Sequence, residues 1–281
     1  MLETRAASLA RRSITGDARS AGIELAIASL DLTTLEGKDT PGKVRALCAR
    51  AIRPAPDVPS VAAVCVYPAL VSVAAAALAG SGVRAASVST AFPSGLSGLD
   101  VKLRETQDAV AAGADEIDMV IDRGAFLAGR YDEIRAQVAA IREACAGARL
   151  KVILEAGELG SYAAIRRACD LALEAGADFL KSATGKIGVS TTPAIALVMC
   201  QAIGDWVRAG NRPVGLKLAG GIRETKTALG YLAIVNETLG PAWLGPDRFR
   251  IGASALLDDL LLARDEDRSG AYGGAAYVAT A

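Results

Sequence analysis

Two segments of the chain read as copies of one unit: AVAAGADEIDMVI (109–121) and LALEAGADFLKSA (171–183). In each, an alanine-rich stretch suited to a helix end meets a glycine, the residue that most easily occupies the helix C′ position. Ala-Asp then leads into an apolar run of strand length. Gly113 and Gly176 stand 63 residues apart, and another strand candidate, LKVILEAG (150–157), lies between them. The interval therefore holds two strand–helix units of about 31 residues each, the size of a βαβ repeat element.

The same cadence continues in AIASLDL (26–32), VAAVCVY (61–67), VRAASVST (83–90), VGLKLAG (214–220) and FRIGA (249–253). Stretches with helical spacing separate them, among them LRETQDAVAAGA, YDEIRAQVAAIREACAG and ETKTALGYLAIVNETLG. Eight strands alternating with helices over about 250 residues predict a TIM (β/α)₈ barrel. Closure is invisible in sequence, so a doubly wound sheet is the structural alternative; no GxGxxG opens the first unit, which weakens its dinucleotide-binding form. Residues 1–24 are expected to form an extra N-terminal helix, residues 25–263 the barrel, and residues 264–281, charged and then Gly/Ala-rich, a flexible tail.

Composition narrows the chemistry. The chain contains no histidine. That removes the usual general base, the Ser-His-Asp and Cys-His systems, and the commonest zinc ligand, which argues against a zinc-dependent aldolase and for Lys, Asp, Glu, Tyr, Ser or Cys chemistry. Lys+Arg and Asp+Glu each number 31, which argues against a nucleic-acid or membrane-surface partner. The segment MLETRAASLARRS lacks the apolar centre of a secretory signal. The most apolar stretch, 61–79, is interrupted by Pro68 and Ser72 and falls short of a span of about 20 residues. Five dispersed cysteines (Cys48, Cys65, Cys145, Cys169 and Cys200) without a CxxC suit reduced thiols in the cytoplasm.

Parallel strands covered on both faces are expected to be nearly all apolar. Asp118, Lys181 and Lys217 break that expectation. Asp118 and Lys181 hold the same place in the repeat, on the fourth and sixth strands, and alternate strands feed one interior layer of a barrel. Lys217 lies on the next strand. A lysine becomes an amine nucleophile when burial and a neighbouring cation lower its pKa. Lys217 supplies the cation in this reading, and Asp118 holds it and relays protons. The bland alternative is a structural ion pair, or charges at strand ends facing solvent. Glycine-rich turns after the sixth, seventh and eighth strands, SATGK (182–186), AGGIR (219–223) and GAS (252–254), present backbone N–H groups to an anion, with Lys186 and Arg223 alongside.

The strings LDLTTL (30–35), VCVYP (64–68), TAFPSG (90–95), GADEIDMVI (113–121), KVILEAGEL (151–159), DFLKSATGK (178–186), GLKLAGGIR (215–223) and RIGAS (250–254) together resemble the deoxyribose-phosphate aldolase family. The resemblance runs from about residue 25 to 262. It implies a class I aldolase that reversibly cleaves 2-deoxy-D-ribose 5-phosphate to D-glyceraldehyde 3-phosphate and acetaldehyde, without metal or organic cofactor. By motif it implies Lys181 as the Schiff-base residue, Lys217 as its activating partner and Asp118 as the proton-transfer residue. It places the phosphate at Thr184, Gly185, Lys186, Gly220, Gly221, Arg223, Gly252 and Ser254, and Asp31 and Cys65 near the substrate pocket. It also implies a cytoplasmic homo-oligomer, dimer or tetramer, and makes Tyr272 and Tyr277 candidates for a tail residue that reaches the site. Departures from the familiar pattern are SATGK for TSTGK, KLAGG for KPAGG and Ala255 for a second serine. Rival readings are an aldolase with a dihydroxyacetone-type donor, a non-catalytic phosphosugar-binding barrel, and a flavin- or nicotinamide-dependent oxidoreductase.

Overall fold

The computed structural model describes residues 1–188 and 190–269. Eight strands run β1 (Leu30–Thr33), β2 (Ala63–Val66), β3 (Arg84–Ser89), β4 (Glu116–Val120), β5 (Arg149–Ile153), β6 (Phe179–Lys181), β7 (Gly215–Ala219) and β8 (Phe249–Ala253). Each pairs in parallel with the next, and β8 returns to β1 through Leu30↔Ile251, so the sheet is a closed barrel. Closure removes the doubly wound alternative. All eight strand candidates are strands, although the first begins later than expected.

Among the described residues the helices are α1 (Leu2–Ala10), α2 (Asp17–Ala28), α3 (Pro41–Ile52), α4 (Val71–Leu78), α5 (Leu99–Ala111), α6 (Arg123–Leu127), α7 (Tyr131–Ala144), α8 (Tyr162–Glu174), α9 (Pro193–Arg208), α10 (Thr225–Leu239) and α11 (Leu256–Ser269). Their sequences explain them. In α7 the buried residues Ile134, Val138 and Ile141 form a stripe at helical spacing. Thr192 caps α9 by accepting from the Ile195 N–H, with Pro193 at the first helical position. Two N-terminal helices stand where one was expected over 1–24, and the second runs on to Ala28, claiming the start of the AIASLDL run. α1 packs on α9 and α10. Gly230 permits this, because a Cβ there would lie 2.7 Å from the Ala10 carbonyl oxygen. At the other end, residues 264–269 are not tail but the last turns of α11, where Arg264 is buried and donates to the Asp57 carbonyl at 2.6 Å. Tyr272 and Tyr277 lie outside the described residues.

The main apolar core lies between the barrel and its helices. A second, small cluster fills part of the interior and includes Ala63, Cys65, Ala86, Val88, Val120 and Ile153. No helix among the described residues is long and apolar enough to cross a membrane.

Candidate active site

Side chains alternate along a strand, so residues two apart share a face. Inside this barrel the alternation delivers charge. Asp31 from β1, Glu116 and Asp118 from β4, Lys151 from β5, Lys181 from β6, Lys217 from β7 and Arg250 from β8 are all at most 3% exposed. Asp118 is the hub. Its Oδ2 accepts from the Nζ of Lys181 and from the Nζ of Lys217, each at 2.7 Å, and its Oδ1 accepts from Lys151 at 2.7 Å. Lys217 also donates to Asp31 at 2.5 Å. One strand-pair of residues deeper, Lys151 lies 2.6 Å from Glu116, and Arg250 spans Asp31 at 2.6 Å and Glu116 at 2.8 Å while its guanidinium lies over the Phe179 ring.

Two glycines make room for this packing. A Cβ on Gly215 would lie 2.3 Å from the Phe179 ring, and one on Gly252 would lie 3.0 Å from Cε of Lys217. The expectation for Gly252 was a phosphate contact; it lines the cavity as expected and also clears the path of the Lys217 stem.

The charge count in this interior is informative. Three carboxylates face four basic groups, and an uncompensated buried charge costs several kcal/mol. The set balances when one base is neutral. Burial pushes the Lys181 amine below the ordinary lysine range; Asp118 opposes that, and the Lys217 cation adds to it. Burial works the same way on Lys217 and Lys151. There the carboxylates prevail: Asp118 and Asp31 hold Lys217 above its usual range, and Asp118, Asp31 and Glu116 hold Lys151 well above it. Burial favours the protonated acids, but Lys151, Lys181 and Lys217 together keep the Asp118 carboxyl well below its usual value. Lys181 is thus the base whose proton is most easily lost. It is also, with Lys217, one of the two interior lysines that line the open cavity.

The structure therefore brings Asp118, Lys181 and Lys217 together as expected, with two adjustments. Burial, more than Lys217, lowers Lys181; and Asp118 bonds both lysines rather than Lys217 alone. The strand reading stopped at three charges when Glu116, Lys151 and Arg250 satisfy the same criterion, each being a charge inside a buried strand run. Asp31 and Cys65 were expected near the substrate pocket. Both are fully buried and do not line the cavity: Asp31 is locked between Lys217 and Arg250, and the Cys65 thiol, raised by burial and then by Asp118, points at Asp118 Oδ2 from 4.0 Å.

Above this floor lies a cavity of about 280 Å³ at the C-terminal ends of β1, β6, β7 and β8. Thr184, Gly185, Lys186, Gly220, Gly221, Arg223, Gly252 and Ser254, the residues that the resemblance assigns to the phosphate, all line it. The β6 and β7 loops meet backbone to backbone: Gly185 and Gly220 both have positive φ, and a Cβ on Gly220 would lie 2.3 Å from Ser190 and 3.4 Å from Gly185 Cα. The β6 loop is held by two further contacts that the sequence did not reveal. Ser182 donates to or accepts from Thr191 at 2.5 Å and accepts from the Ala219 N–H at 3.0 Å. On the other side Glu155, buried and in the left-handed region at φ 51°, accepts from the Thr184 N–H at 3.0 Å, from the Thr184 hydroxyl and from Arg123 at 3.2 Å. At the rim, Lys186 pairs with Glu36 at 2.8 Å and Lys43 with Asp39 at 2.5 Å. Neither Lys43 nor Glu36 was singled out in the sequence.

Three comparisons bear on this geometry. A sequence model of the DeoC/LacD family aldolases matches residues 25–239. The deoxyribose-phosphate aldolase of Mus musculus is 44% identical over 264 residues, covering 89% of this chain and 83% of that protein. The deoxyribose-phosphate aldolase of Homo sapiens is 41% identical over the same shares. Among solved structures, the deoxyribose phosphate aldolase of Aeropyrum pernix, described as a unique tetramer, superposes with a TM-score of 0.69 at 25% identity, covering 89% of this chain and 93% of that one.

Proposed function

The chain belongs to the DeoC/LacD aldolase family, and from that membership we propose that it is a deoxyribose-phosphate aldolase working through a Schiff base on Lys181. The observation that carries the residue assignment is the Asp118 Oδ2 atom shared by two lysines at equal distance, only one of which is pushed toward the neutral amine.

The reaction follows from that arrangement. The neutral Lys181 amine adds to C1 of the open-chain sugar aldehyde, and loss of water leaves an iminium. The cationic nitrogen accepts the electron pair of the C2–C3 bond as a base removes the C3 hydroxyl proton. Glyceraldehyde 3-phosphate departs, leaving an enamine on Lys181. Protonation at C2 and addition of water then release acetaldehyde and restore the amine. Asp118 and Lys217 are the proton carriers within reach of Lys181. Asp118 also offsets the iminium charge, so the interior that was balanced with a neutral amine tolerates the cationic intermediate through its short carboxylate contact. The glycine loops and Lys186 fix the phosphate at the far end of the cavity, and such anchoring at a remote group can contribute several kcal/mol to the barrier at the reacting carbon.

The test is mass spectrometry of the intact protein and its peptides after acetaldehyde and borohydride, with Lys181→Ala as control. A two-carbon reductive adduct confined to Lys181 and lost in the variant is the expected result. Adducts scattered over surface lysines, with the fold intact, would remove the Schiff-base reading. We further propose a homo-oligomer, dimer or tetramer, on the analogy of the Aeropyrum pernix enzyme, and a reducing, cytoplasmic setting, which suits five buried free cysteines. Light scattering on the eluted protein tests the first.

A further inference from the structure

The cavity rim carries one feature that phosphate binding does not require. Among the described residues that line the cavity, Glu36 is the one acid, and its carboxylate takes the ammonium of Lys186, from the opposite side of the mouth. The pair joins the β1 loop to the β6 loop. Asp39, three residues on, shows how differently the rim acids are held. Asp39 is fixed in place: its side chain is 1% exposed and accepts from the Glu36 N–H, the Thr34 hydroxyl and Lys43. Glu36 is 56% exposed at its side chain, and among the described residues its carboxylate has no other hydrogen-bond partner than Lys186. Lys186 is itself seated, because its N–H donates to the Thr184 hydroxyl that Glu155 anchors.

A phosphate seated on the β6 and β7 glycine loops needs that ammonium, and it meets a carboxylate already there. We propose that Glu36 is a displaceable counter-ion of the phosphate subsite, which holds Lys186 until the substrate phosphate takes its place and thereby sets the preference between phosphorylated and plain sugars. The backbone of the loop stays pinned by Asp39 while the Glu36 side chain swings out. An exposed ion pair is weak, so exchange for a dianion on the same lysine is downhill. The cost of the exchange, and the repulsion left by the nearby carboxylate, fall only on ligands that carry the phosphate. The inference rests on the phosphate reading above.

The experiment compares the wild-type chain with Glu36→Gln in cleavage of 2-deoxyribose 5-phosphate and of 2-deoxyribose, and in calorimetric binding of inorganic phosphate. Glu36→Gln is expected to lower the KM for the phosphorylated sugar, and the dissociation constant of inorganic phosphate, by roughly two- to five-fold at low salt. The gain shrinks at high ionic strength, and the constants for the plain sugar do not move. In a Lys186→Met background the gain disappears, because no lysine remains to be released. An unchanged or raised KM for the phosphorylated sugar, an equal change for both sugars, or a gain that survives Lys186→Met would overturn the proposal. A wild-type chain that cleaves neither sugar would defeat the aldolase reading, whereas phosphate calorimetry on the same two proteins would still decide the role of Glu36.

Discussion

At the floor of the cavity seven charged side chains sit at most 4% exposed, each tied to at least one opposite charge; at its mouth the Glu36–Lys186 pair is 56% and 31% exposed and stands on a single contact. Both regions are made of lysines and carboxylates at similar distances. Water separates them. Out of water, a charge without a partner costs several kcal/mol, so the floor has few workable arrangements, and burial pushes Lys181 toward the one in which it is neutral. In water a pair is worth about 0.2–1 kcal/mol, so the mouth can trade partners at little cost. In the proposed reaction the site forms a covalent bond at one end and lets go of a phosphorylated aldehyde at the other, which is a reason to use both.

Three measurements press on that difference. The largest effect is expected for Asp118→Asn, which leaves Lys151, Lys181 and Lys217 around a neutral amide. Turnover should fall by roughly 10²–10⁴-fold, and denaturant unfolding should show a loss of about 3–5 kcal/mol. Near-normal turnover in a folded variant would show that the hub carboxylate is not needed for proton transfer.

Next comes acid. Asp118, Asp31 and Glu116 all titrate below their ordinary range in the folded chain because buried cations outweigh their desolvation. Their contribution is full above the unfolded carboxylate pKa of about 4 and is lost as pH falls through the lower folded values. Arg250→Met removes a cation from Asp31 and Glu116, so it should cost about 3–5 kcal/mol at neutral pH and move the acid-unfolding midpoint upward. An unshifted midpoint would mean that the deep layer does not govern acid stability.

The smallest effect tests the boundary between the regions. Glu155→Gln weakens the charged bonds to Thr184 and Arg123, for which about 1.5–3 kcal/mol is the usual scale. Because Glu155 acts through the β6 loop, the KM for the phosphorylated sugar should rise about ten-fold with little change for the plain one. A fall in kcat on both substrates would instead couple the loop to the floor.

The same contrast explains what could be read before the structure. The barrel was legible because β–α units recur at a similar spacing and because glycine and Ala-Asp mark the turn into the fourth and sixth strands. Asp118, Lys181 and Lys217 were legible because a charge in an apolar strand stands out. Glu116, Lys151 and Arg250 stand out equally in EIDMV, LKVIL and FRIGA, and the reading that stopped at three could have continued. Glu36 had no such signal, because it lies in a loop, where acids are ordinary; Glu155 falls inside the strand candidate 150–157 but past the end of β5, and the roles of Glu155 and Glu36 depend on contacts 29 and 150 residues away along the chain. Asp31 was placed near the pocket and lies beneath it, bonded to the Lys217 that lines it, a depth that a motif does not encode. The merging of Ala26–Ala28 into α2 reflects the alanine content of that run, which suits a helix as well as a strand.

The balanced interior also shapes how such a chain can change over generations. A lone substitution of Asp31, Glu116, Lys151 or Arg250 strands a charged neighbour in the barrel, so these positions are expected to drift only in compensated pairs. The rim residues face no such bond and can vary one at a time. A lineage moving toward new aldehydes would therefore keep its floor as a block and do its exploring at Glu36, Lys43 and Arg223.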